Sequence, residues 1–256
     1  MQKKQYLSLN TNILQNKNVL DLACHDGKST EIIHKLGANH VYAVDIRSDL
    51  IESAQRRLNA KNVEFFVGDI TDNQFISNLV ANSNTVTCFG ALYHLFDHFN
   101  FLSYILKPNI EYVLLETEFG AESLNPEMYW AFERTDRILN GWYKDFKLVP
   151  HGTPNLSWIL QSAELFGFSC DWIEFYGSKI KKTRYHVTAE EYLTIAGSSW
   201  PSFQELMSSN PIPKFVEDEI SQFLHIDTER RMIIRLYNSN LITSTPLILK
   251  DIYQWH

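Results

Sequence analysis

Three carboxylates, Asp21, Asp45 and Asp69, recur at 24-residue intervals, each at or near the end of a short apolar run. The run Val19-Leu20-Asp21-Leu22 opens into the turn Ala23-Cys24-His25-Asp26-Gly27, and a second run, Val41-Tyr42-Ala43-Val44, stops at Asp45. A strand, a tight turn, a helix and an acid closing the next strand together make a nucleoside pocket. Backbone amides of the turn approach the ligand, and the carboxylate accepts hydrogen bonds from two ribose hydroxyls.

The elements that position these acids follow from periodicity. Strands are predicted at 18–23, 40–45, 62–67, 84–89 and 110–117, with helices at 28–36, 48–59, 73–81 and about 97–106 between them. Ile32, Ile33 and Leu36 share one stripe of the first helix, and Gly37 suits a left-handed cap after it. Ser48 is the expected N-cap of the second. Strands alternating with helices imply right-handed crossovers and a mostly parallel sheet covered on both faces, so the acids are expected along its carboxyl edge.

After Phe119 the alternation stops. Residues 119–150 hold Tyr129, Trp130, Phe132, Trp142, Tyr143 and Phe146 and read as an aromatic insertion or lid, with a helix from Pro126 to Leu139. A helix starting near Pro154 and running to Phe166, a strand at 168–176 and a last strand at 231–237 follow. Residues 178–229 read as a second insertion, with helices near 188–195 and 214–225 and a basic run of Lys179, Lys181, Lys182 and Arg184 suited to a solvated loop. The fold class is therefore α/β: one doubly wound, Rossmann-like domain over 1–256, with seven strands and helical insertions before strands six and seven.

Composition narrows the partners. The formal net charge of −7 argues against tracking a phosphate backbone. Three separated cysteines without CxxC spacing suit reduced thiols. No apolar leader follows Met1, and no run approaches a bilayer span, so the expectation is a cytoplasmic protein that does not enter the membrane. His94 and His98 have i, i+4 spacing, but no third ligand accompanies them, and no metal is expected.

Two ligand classes use such a unit, dinucleotides and S-adenosylmethionine. A dinucleotide fingerprint would want small residues at 23, 25 and 28, where His25 and Lys28 stand, which disfavours a nicotinamide oxidoreductase. The segment Asp21-Leu22-Ala23-Cys24-His25-Asp26-Gly27 resembles the first motif, D/E-x-G-x-G-x-G, of the class I S-adenosylmethionine-dependent methyltransferases, with Ala23 and His25 at the first two glycine positions. Asp45, Gly68-Asp69-Ile70, Cys88-Phe89-Gly90-Ala91-Leu92-Tyr93-His94 and Leu114-Leu115-Glu116-Thr117 follow in the family's order.

The resemblance implies S-adenosylmethionine as cofactor, held by Asp21, Ala23, His25 and Gly27 in the turn, Asp45 and Ile46 at the ribose, Asp69 and Ile70 at the adenine edge, and Phe89 and Gly90 after strand four. It implies methyl transfer to a small or medium-sized acceptor. His94, Tyr93 and Glu116 are the candidate catalytic groups, with His94 favoured as general base because its ordinary pKa lies near working pH.

Gly90-Ala91-Leu92-Tyr93-His94 with Leu115-Glu116-Thr117 also resembles the transfer-RNA wobble-uridine carboxymethyltransferase group. That group has a long N-terminal extension, whereas the first strand here begins by residue 18, so only the loop architecture is carried over. An RNA-modifying methyltransferase and a non-catalytic nucleoside-binding protein of the same fold are the alternatives. Strand alternation also puts Arg231 and Arg235 on one face, from which one of them could reach inward to the substrate pocket.

Overall fold

A computed structural model describes residues 2–118, 125–134, 148–176 and 231–246. Five strands pair in parallel: β1 (Asn18–Leu22), β2 (His40–Asp45), β3 (Val63–Val67), β4 (Thr85–Phe89) and β5 (Tyr112–Glu118). β8 (Phe168–Tyr176) and β9 (Arg231–Asn238) complete a seven-stranded sheet of order β3-β2-β1-β4-β5-β9-β8, with β9 antiparallel to both neighbours.

Alternate residues of the central strands feed two cores. Leu20, Leu22, Val86, Cys88, Val113 and Leu115 face one side. There they meet α5 (Asn73–Ala81) through Ile76 and Val80, α6 (His98–Ile105) through Phe101 and Leu102, and α7 (Leu156–Glu164) through Ile159. Val19, Val41, Leu114 and Ile233 face the other side, against α1 (Gln2–Leu9), α2 (Thr11–Leu14) and α3 (Lys28–Lys35) through Leu7, Ile13 and Ile33. Ile51 of α4 (Ser48–Arg57) packs on Ala43. Burial on both faces is why these strands read as continuous apolar runs.

The βα boundaries match the sequence expectation closely, and Gly37 follows α3 with φ +91°. Three readings change. The N-cap position of α4 is Arg47, not Ser48, and its side chain makes no capping bond. Where a helix is expected from Pro126 to Leu139, β6 (Met128–Arg134) instead pairs antiparallel with β7 (Leu148–Pro154).

Tyr, Trp and Phe in close succession favour a pleated surface, and Asn155 fastens the base of this hairpin. Its backbone N–H donates to Glu127 O at 3.0 Å, and Glu127 N–H donates to Asn155 Oδ1 at 3.1 Å. The same Oδ1 caps α7 through Trp158 N–H at 2.8 Å, so Thr153 and Pro154 end a strand rather than begin a helix. The insertion before strand six thus carries a hairpin, not the expected helix. The second insertion at 178–229, with its helices near 188–195 and 214–225 and its basic run, lies outside the described residues, as does Trp142. No helix among the described residues is long and apolar enough to cross a membrane.

Candidate functional site

The turn after β1 keeps a glycine-type backbone without glycine at two of its positions. Ala23, His25 and Gly27 have φ of +54°, +55° and +78°. Only Gly27 is obligatory on contact grounds, since a Cβ there would lie 2.7 Å from Ala54 Cβ. Left-handed backbone is disfavoured for residues with a Cβ, so cross-contacts hold the turn. Cys24 N–H donates to Val44 O at 2.9 Å, Gly27 N–H to Cys24 O at 3.0 Å, and His25 N–H to Asp45 Oδ2 at 2.9 Å.

One prediction follows directly. His25→Gly raises stability by about 0.5–1 kcal/mol, the strain of one left-handed residue less the entropy glycine adds to the unfolded chain. His25→Ala, which keeps the strain, leaves stability near wild type. Equal denaturant midpoints for the two variants would show that the turn stores no such strain.

The three acids have different surroundings. Asp45, 2% exposed, ends β2 and sits against the turn through His25 N–H. Arg47 grips the same carboxylate, with Nε 2.9 Å from Oδ1 and Nη2 3.1 Å from Oδ2. Asp21 lies deeper, paired in register with Ala43 rather than level with Asp45, and is 1% exposed. Its Oδ2 accepts from Ser29 Oγ at 2.9 Å and Thr30 Oγ1 at 2.7 Å, and its Oδ1 from Thr87 Oγ1 at 2.9 Å. These are hydroxyls of α3 and β4, so Asp21 supports the turn from beneath. Asp69 is half-buried and accepts from Thr71 N–H and Thr71 Oγ1, both at 2.7 Å.

On the outer side of the turn, Asp26 meets Lys28 at 2.7 Å and Arg57 at 3.1 Å. Burial pushes its carboxyl pKa up, but the hydrogen bond and charge of Lys28, with Arg57 and His25, outweigh it and hold the group below the ordinary carboxylate range. The stability gained is present above that range and fades as pH falls through it.

A second cluster occupies the same carboxyl edge, where β4 and β5 end and β9 begins. Gly90 has φ +75°, and its N–H donates to Glu116 O at 3.0 Å. A Cβ on Gly90 would lie 3.3 Å from Glu116 Oε2, so this residue keeps the rim open. Arg231 opens β9 opposite Glu118. It donates from Nη1 to Glu116 Oε1 at 2.9 Å and from Nη2 to Tyr93 Oη at 3.0 Å and Glu118 Oε1 at 3.2 Å. Its guanidinium carbon lies 5.0 Å from the Tyr93 ring centroid. Burial raises the Tyr93 phenol pKa well above its usual range; Arg231 pulls it down and Glu118 pushes it up, and the hydroxyl stays protonated at neutral pH. Burial opposes the Arg231 charge, but Tyr93, Glu116 and Glu118 keep it.

His94 is half-buried on a single 3₁₀ turn (Leu92–His94), its ring centroid 4.2 Å from that of Tyr93. His98 begins α6, is 2% exposed, and its Nε2 lies 3.0 Å from Gly152 O, with Trp130 and Trp158 edge-on to its ring. The two histidines share no helix. Among the described residues no group of three His, Cys, Asp or Glu could hold a metal ion.

The structure thus brings Ala23, His25, Gly27 and Asp45 together at one end of the rim and Gly90, Tyr93, His94 and Glu116 at the other. Ile70 and Phe89 are buried in the core, and Ile46 is half-buried after β2. Sequence reading put Arg231 on the inward-capable face but did not assign it to these glutamates. It missed Arg47, Glu118 and the hydroxyls of Ser29, Thr30 and Thr87. Only the i, i+2 spacing of Asp45 and Arg47 signals any of these locally. Arg235 goes instead to Asp171 at 2.7 Å and Asn10 at 2.9 Å.

Residues 19–108 match a family described as a methyltransferase domain. A stretch of 50 residues is 40% identical to the ribosomal protein L11 methyltransferase of Legionella pneumophila (strain Corby), covering 20% of this chain and 17% of that relative's length. The fold is similar to an S-adenosylmethionine-dependent methyltransferase from Mesorhizobium loti, with TM-score 0.54, 11% identity, and coverage of 91% of this chain and 97% of that one. It is similar also to the N-terminal domain of EvdMO1 with SAH bound, with TM-score 0.56, 13% identity, and coverage of 92% and 80%. The [4+2]-cyclase SpnF shares it too, with TM-score 0.54, 10% identity, and coverage of 93% and 84%.

Proposed function

We propose that this chain, whose residues 19–108 match a methyltransferase domain family, is a class I S-adenosylmethionine-dependent methyltransferase that transfers a methyl group to a small or medium-sized acceptor held at the Tyr93–Glu116–Arg231 end of the rim. The observation that carries the reading is the junction of turn and acid: His25 N–H on Asp45, within a backbone that is left-handed at 23, 25 and 27. That is the shape a nucleoside needs, and the chain builds it despite Ala23 and His25.

The residues fit the cofactor in named roles. Asp45 receives the ribose hydroxyls, the turn from Ala23 to Gly27 closes over the amino-acid side, and Asp69 with Ile70 borders the adenine. When bound, S-adenosylmethionine supplies a methyl group activated by its sulfonium. The chain's task is then alignment and exclusion of water. Glu116 and Tyr93, fixed by Arg231, orient the acceptor, and His94 beside them takes its proton. Residues 119–150, which include β6 and the start of β7, act as the lid over this end. We take residues 1–256 as a single domain and 178–229 as its second insertion.

Asp45→Ala weakens calorimetric affinity for S-adenosylhomocysteine by about 10-fold or more, the loss of charge-assisted hydrogen bonds to the ribose. An unchanged affinity would remove Asp45 from the pocket. An RNA acceptor is the weaker reading, since the net charge is −7. Salt-dependent binding of transfer RNA would favour it.

A further inference from the structure

A carboxylate offers about four lone-pair positions, and Asp45 has four donors on it. Oδ2 accepts from His25 N–H at 2.9 Å and Arg47 Nη2 at 3.1 Å; Oδ1 accepts from Arg47 N–H at 3.1 Å and Arg47 Nε at 2.9 Å. Two of these donors are backbone amides fixed by the turn and by the start of α4. The other two belong to one guanidinium, on a side chain 20% exposed. A ribose brings two hydroxyl donors of its own, so the carboxylate cannot serve both.

We propose that Arg47 is a latch on the ribose acid: its side chain closes on Asp45 in the free protein and swings out to admit an adenosine moiety. This rests on the nucleoside pocket proposed above and adds to it the residue that sets access. The logic is one of charge. A carboxylate 2% exposed is costly without compensation, and Arg47 provides it while the site is free. When ribose hydroxyls replace the guanidinium, Asp45 still keeps the His25 and Arg47 amides.

Arg47 sits at the N-cap position of α4 with extended backbone, φ −94° and ψ 111°, and its side chain caps nothing. Nearby cations do not take its place, because Lys28 and Arg57 are held on Asp26 at 2.7 and 3.1 Å. Apparent affinity is the intrinsic affinity reduced by the fraction of molecules with the latch open.

The test uses 5′-deoxy-5′-methylthioadenosine, an uncharged ligand, with calorimetry at one fixed ionic strength. Arg47→Ala and the longer Arg47→Gln bind it about tenfold more tightly than the wild type. Arg47→Lys, which keeps a cation but not the two-pronged grip, binds between them and the wild type.

Equal or weaker binding by Arg47→Ala and Arg47→Gln, with wild-type melting cooperativity, overturns the latch while leaving the pocket standing. Absence of binding to wild type and variants alike overturns the pocket and the latch together.

Discussion

Replacing Arg231 with methionine lowers the free energy of unfolding by about 3 kcal/mol, the low end of the range for breaking a buried ion pair. Glu116 and Glu118 are 1% and 3% exposed and share this guanidinium, so its removal takes one cation away from two buried carboxylates at once. The low end applies because the Arg231 side chain is 26% exposed, so water takes over part of its work. The Tyr93 hydroxyl, which accepts from Arg231 at 3.0 Å, loses that hydrogen bond in the same step.

Adding Glu118→Gln to Arg231→Met removes one of the two negative charges, and it recovers part of the lost stability. Glu118→Gln in the wild-type background lowers stability, since it takes a partner from Arg231. Urea melts of the four proteins form a double-mutant cycle that reads the coupling directly. A loss below 1 kcal/mol for Arg231→Met, or no recovery in the double variant, would mean the glutamates are solvated in solution.

Asp21→Ala costs about 3 kcal/mol as well, by a different route. Here the carboxylate has hydroxyls for partners: Ser29 and Thr30 in the first turn of α3, and Thr87 on β4. The positive end of α3 adds to their effect. Removing the acid strands three buried hydroxyls at about 1 kcal/mol each, since a buried group without its partner keeps its desolvation penalty. Because Asp21 ties α3 to β1 and β4 directly beneath residues 23–27, S-adenosylhomocysteine binding falls along with stability.

Asp21→Asn keeps the shape and one carbonyl acceptor, and it loses less of both. Alanine and asparagine variants of equal stability would show that the hydroxyls simply rebond to nearby carbonyls.

The two variants probe parts of the molecule that differed in how far sequence revealed them. The parallel strands β1, β2, β4 and β5 and their helices were legible because strands buried on both faces leave unbroken apolar runs, and because Asp45 closes one of those runs. The left-handed turn was legible from Gly27 and the acid before it, although Ala23 and His25 concealed two of its three special positions. Arg231 was not, because its partners Glu116 and Glu118 lie more than a hundred residues away in the chain and charge alone does not say which charge it meets.

The hairpin of β6 and β7 failed for a local reason. Tyr129, Trp130 and Phe132 carry no clean period of 2 or 3.6, and the contact that settles their state is supplied by Asn155, beyond the segment. The short helix Gln2–Leu9 was missed because it is mostly polar; only Tyr6 and Leu7 are seen to bury themselves.

The sheet order β3-β2-β1-β4-β5-β9-β8 has a bearing on how the chain comes off the ribosome. β8 is synthesised first of the last two strands, yet among the described residues its sheet neighbour is β9. Until residues 231–238 emerge, β5 offers an open flank and β8 waits without a ladder. Closing that gap joins segments far apart in sequence, which makes it a slow step during which the nascent chain is exposed to aggregation. Arg231, first residue of that late strand, therefore arrives last at the glutamates it neutralises.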